Sequence, residues 1–140
     1  MSQPKDVLLA SAEQLQQAAA TVPPGREREW AARVAGAMAG VGRALRKHGT
    51  PGLFEQVDLE RPSLAHQAAE LSQEHRELLA RAEALEAEAR AAAGAEPPAS
   101  PDFGLLRQRV QQFAAALSEH RQDENGLVIE SVTTDLGAAD

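Results

Sequence analysis

Residues 64–85 read LAHQAAELSQEHRELLARAEAL, and this stretch decides the fold class. Leu64, Ala68, Leu71, His75, Leu78, Ala82 and Leu85 recur at steps of three and four, one face of a helix. Glu70, Glu74, Arg76, Glu77, Arg81 and Glu83 fill the other faces. Pro62, a favoured early helical residue, opens the segment, and it continues to about Ala93. The composition agrees. The chain has 140 residues, 29 of them Ala, against 8 Val and 1 Ile. Ala favours helix and disfavours strand.

Working outward, Gly94 to Pro101 is a turn segment. Ser100, Pro101 and Asp102 mark the start of a further helix, whose stripe is Leu106, Val110, Phe113 and Leu117. Gly126 is expected to kink or end it. Leu127 to Asp140 stays open between helix and the β-branched character of Val128, Ile129, Val132, Thr133 and Thr134. On the other side, residues 49–61 form a connection with a helical turn expected at Leu53 to Leu59. Before it, Arg26 to His48 carries Trp30, Val34, Ala37, Val41 and Ala44 on one stripe, widened by Met38 and Leu45. Arg46 and Lys47 fall in its last turn, and Gly49, Pro51 and Gly52 end it. Lys5 to Thr21 repeats Leu8, Ala12, Leu15, Ala19 and Val22, and Pro23, Pro24 and Gly25 stop it.

Four amphipathic helices joined by short connections predict an all-α, up-down-up-down four-helix bundle. We expect one domain over residues 1–140, with the core in 5–125 and 126–140 as a helical extension or tail. Gly36, Gly40 and Gly42 lie in a helical pattern with no preceding strand, so they read as points of close helix contact, not as a phosphate loop.

Charge and composition exclude several classes. The net charge is −7 and the pI near 5.1, so this acidic chain lacks the basic face of a nucleic-acid binder. Aromatic residues are 3%, too few for base-stacking platforms. With no Cys, disulfides, zinc-thiolate sites and Cys nucleophiles are out. No run approaches 18 apolar residues, so no membrane span is expected, and the reading is cytoplasmic. The serines have no nucleophile-elbow context, and no enzyme is expected.

The histidines carry the remaining signal. His75 replaces an apolar residue on its seam. His120 follows Leu117 by three and Val110 by ten, and Glu124 follows His120 by four on the same face. His48 follows Leu45 by three and also points inward, whereas His66 faces away. A buried carboxylate needs a partner, and a metal ion or a protonated histidine supplies one. His75 stands 18 residues before Ala93, and His120 stands 18 after Asp102. At about 1.5 Å per residue both lie about 27 Å from the turn between their helices, side by side. His48 fits less well, because it closes its helix while His75 is well inside its own.

The stretches Leu45 to His48, Gly52 to Val57, Arg61 to Ala65, Leu71-Ser-Gln-Glu-His-Arg-Glu-Leu-Leu79 and Leu117-Ser-Glu-His-Arg-Gln-Asp-Glu124 resemble a hemerythrin-like (HHE cation-binding) domain over residues 30–130. Such domains are four-helix bundles with a non-haem di-iron centre that binds or senses oxygen or nitric oxide, or stores iron. The resemblance implies His48, His75, His120 and Glu124 as metal ligands and iron as the cofactor. It also implies departures. The first helix has no histidine, Gly52 stands where the family has a carboxylate, and Leu79 stands where it has a histidine. The chain resembles a degenerate member, with one metal or none expected. Two functions compete: a metal-binding sensor or carrier, and a metal-free bundle acting through a protein partner or as a homodimer.

Overall fold

The computed structural model describes residues 6–47 and 61–138. Among them there are four helices and no strand: α1 (Val7–Ala18), α2 (Glu27–Lys47), α3 (Pro62–Gly94) and α4 (Phe103–Ala138). The main contacts run α1–α2, α2–α3, α3–α4 and α4–α1, with α2 on α3 the most extensive. Each helix therefore buries its stripe against two neighbours, an all-α bundle.

Local chemistry sets the ends. Asp6 caps α1, its Oδ1 accepting from the Leu8 and Leu9 amides at 3.1 and 3.2 Å, which satisfies two of the free donors of the first turn. The Trp30 indole donates to the Ala18 carbonyl at 2.7 Å, so a core residue of α2 also closes the end of α1. Between them Gly25 adopts a φ of 80°, a conformation that favours glycine. Asp102 caps α4, accepting from the Leu105 amide at 2.9 Å.

The main core joins Leu8, Leu15, Trp30, Met38, Leu45, Leu78, Phe113 and Leu117 with their neighbours. A second, smaller cluster gathers Leu64, Ala68, Leu71 and Leu127 on α3 and α4. Between the two lie His75, His120 and Glu124, the buried polar residues of the described chain. On α3 the order is Leu71, His75, Leu78, and on α4 it is Leu117, His120, Glu124, Leu127. A polar layer thus interrupts one continuous apolar seam.

Three expectations change. Gly126 does not end α4, and of the two alternatives for the stretch after it the helical extension holds to Ala138. Gly36, Gly40 and Gly42 are not points of close helix approach. A Cβ at Gly36 meets nothing within 4 Å, and at Gly40 and Gly42 only Arg43 and Arg46 side-chain nitrogens at 3.8 and 3.9 Å. Ala37 is half-buried, while Ala31 and Ala35 are buried, so the α2 stripe is turned slightly from the expected one. The expected turn at Leu53 to Leu59 and residue His48 lie outside the described residues.

Candidate metal centre

His75 on α3 and His120 and Glu124 on α4 meet inside the bundle, with exposures of 6%, 0% and 0%. The i, i+4 spacing of His120 and Glu124 puts them on one face of α4. The position of His75 on the α3 seam turns it toward them. The rings of His75 and His120 have centroids 5.4 Å apart.

The outer nitrogens of both rings are committed. His75 Nε2–H donates to the Leu45 carbonyl at 2.7 Å. That oxygen belongs to the last turn of α2, where carbonyls have no intrahelical partner. His120 Nδ1–H donates to Glu74 Oε1 at 2.7 Å. A carbonyl and a carboxylate only accept, so each outer nitrogen carries the proton. In the neutral rings, the inner nitrogens are then bare lone pairs.

Those lone pairs, His75 Nδ1 and His120 Nε2, lie 3.3 Å apart. His120 Nε2 is 3.3 Å from Glu124 Oε1 and His75 Nδ1 is 3.7 Å from Glu124 Oε2. Neither Glu124 oxygen has a hydrogen-bond partner among the described residues. Four acceptors therefore face one another in a buried space with no donor in hydrogen-bond range among the described residues, Arg121 Nη1 standing off at 3.6 Å from Glu124 Oε1, an arrangement that is costly unless a cation fills it. Two ligand atoms on a tetrahedral ion with bonds of about 2.0–2.1 Å stand about 3.3–3.4 Å apart, by the geometry of such sites. The separation of the two ring nitrogens and that of His120 Nε2 from Glu124 Oε1 match that edge, while His75 Nδ1 lies 3.7 Å from the other carboxylate oxygen. The outer contacts match too, since metal-ligating histidines commonly donate their second N–H to a backbone carbonyl or a carboxylate. Among the described residues this is the cluster of three His and carboxylate side chains that can hold an ion.

A proton is the competing cation. Burial works against a charged His120, but the Glu124 and Glu74 carboxylates outweigh it and raise its pKa above 6.5. Burial likewise pushes Glu124 up, yet the His120 and His75 imidazoles win and hold it at about 2. The close side-chain contacts of His120 and then His75 make the larger part of that hold, with the coulombic pull of a protonated ring behind them.

Glu74 links this centre to solvent. Its side chain is 47% exposed, and it lines a groove of about 310 Å³ between α3 and α4 with Glu77, Arg81, Glu119 and Asp123. The acidic lining favours cations at the mouth. Glu74 reads from the sequence as part of a solvated face, and nothing in the sequence singles out the Leu45 carbonyl. Adjacency to His75 was the available signal for the first. For the second there was none, because it is a backbone group on another helix. His66 is exposed and pairs with Glu70 at 3.0 Å, as its phase predicted.

The geometry defines a buried site of two imidazoles and one carboxylate in an all-α bundle. Comparison with protein-family models, with curated proteins and with solved structures finds no match to this chain.

Proposed function

We propose that this chain is a hemerythrin-like, up-down-up-down four-helix bundle that binds a single divalent ion, Fe(II) or Zn(II). The ligands are His75 Nδ1, His120 Nε2 and Glu124, and the role is sensing or carriage, not catalysis. One observation carries the proposal. The inner nitrogens of two imidazoles and both oxygens of a wholly buried carboxylate converge, and neither oxygen has a hydrogen-bond partner among the described residues. Nitrogen and oxygen donors without thiolate suit these metals. Neutral histidines and the ionised Glu124 and Glu74 leave two negative charges at the centre, which one divalent ion balances. Three protein ligands leave the ion open positions for water or a small ligand. His120 and His75 fix its place, and Glu74 and Leu45 hold their rings in the binding tautomer.

The alternative is a metal-free interaction or structural bundle. It is favoured by the shifts of His120 and Glu124, which let one proton on His120 Nε2 take the place of the ion. Titration with Fe(II), Zn(II) and Co(II) separates the two. Wild type should bind one equivalent and His120→Ala should bind none. Wild type that takes up no metal at tens of micromolar leaves the metal-free reading.

A further inference from the structure

Arg121 lies between His120 and Glu124 on the same helix, and its place is odd. It stands three residues before Glu124, a spacing at which helical side chains meet. Its Nη1 is 3.6 Å from Glu124 Oε1, beyond hydrogen-bond range. A guanidinium with five donors thus lies beside a buried carboxylate whose oxygens accept nothing. The cause is across the bundle. Asp6 Oδ2 takes Arg121 Nε at 2.8 Å, and Asn125 Nδ2 adds to the same oxygen at 3.4 Å. The other Asp6 oxygen caps α1, so the anchor point is rigid. The Arg121 and Asp6 side chains are 16% and 22% exposed, and the pair is well shielded from water.

We propose that Asp6 acts as a latch that holds Arg121 off Glu124, and that the Asp6–Arg121 pair thereby sets the metal affinity of the centre. The inference rests on the metal reading above. Arg121 and a divalent ion want the same carboxylate, and a released guanidinium would close the short remaining gap and satisfy Glu124 with its own charge. Asp6 is the first residue before α1, so docking of that helix start and loading of the centre are linked. Each favours the other by the same factor. Asp6 and Arg121 are positioning residues in this scheme, since neither is a ligand.

Asp6→Asn is the informative variant. Asn caps a helix about as well as Asp, so α1 keeps its cap while Arg121 loses its anion. Arg121→Met keeps the apolar stem and removes the competitor. Co(II) titration of the full chain, followed by absorbance, should show Asp6→Asn binding at least about fivefold more weakly than wild type, the lower end of ordinary coupling. Arg121→Met should bind at least as tightly as wild type, and the double variant should match Arg121→Met. Helicity and melting of each variant without metal show whether it is folded. If Asp6→Asn does not fold, Arg121→Met and the double variant still decide. Wild-type binding with Asp6→Asn unchanged, or with Arg121→Met weakened, overturns the latch and leaves the metal centre standing. Failure of wild type to bind Co(II) removes the centre and the latch together.

Discussion

Glu124→Gln should change the stability of the metal-free protein in opposite directions at two pH values. The substitution keeps the shape and replaces one acceptor oxygen by an amide with two donors. At pH 9, once His120 has lost its inner proton, the wild-type centre holds four acceptors with no donor in hydrogen-bond range among the described residues. The variant's amide would stand about where Glu124 now lies 3.3 Å from His120 Nε2, and it can donate to that lone pair. Relieving an unsatisfied buried acceptor should stabilise by about 1–3 kcal/mol, a rise of several degrees in midpoint for a chain of this size. At pH 5.5 His120 is protonated and its charge pairs with Glu124. A carboxyl held at about 2 rather than at its ordinary 4.5 corresponds to about 3 kcal/mol, which the variant forfeits. Thermal and urea unfolding in a chelator, read by circular dichroism, measures both. A variant equally destabilised at the two pH values, or more so at pH 9, would show that Glu124 has a donor and that no cation is wanted there.

Three further outcomes follow from the same contacts. Leu117→Ala removes a wholly buried side chain and should cost about 2–5 kcal/mol in urea unfolding; a cost below 1 would place that seam at the surface. Gly36→Ala should stabilise by about 0.5–1 kcal/mol, because the position is helical and open, and a loss would reveal an unseen contact. Metal affinity should decline on acidification from above pH 6.5, since the His120 pKa is raised and its inner nitrogen must be bare to bind. Calorimetric titration across pH 5.5 to 8.5 reads this, and a flat profile would exclude His120 as a ligand.

The helical seams were legible because each buried stripe repeats over several turns, so Leu8 to Ala19 and Leu64 to Leu85 fall inside as read. The phase of a single residue was legible for the same reason, which is how His75 and His120 can be set level from the sequence alone. Gly126 misled because one glycine costs a helix only about 1 kcal/mol, and α4 gains more than that by burying Leu127 against α3. The glycines of α2 misled through an assumption that a missing Cβ marks a close neighbour. What surrounds the centre was least legible. Leu45 contributes a backbone carbonyl, Glu74 looked like any exposed acid, and Asp6 and Arg121 are 115 residues apart. Such contacts depend on how four helices are placed together, which periodicity along one helix does not contain.

The central claim is that two bare ring nitrogens face Glu124, and nitrogen-15 spectra of the histidine rings test it most directly. In metal-free protein at pH 9, His75 should carry its proton on Nε2 and His120 on Nδ1. One equivalent of Zn(II) should then shift His75 Nδ1 and His120 Nε2 and leave His66 unmoved. A His120 ring protonated on Nε2 under those conditions, or rings indifferent to Zn(II), would contradict the account.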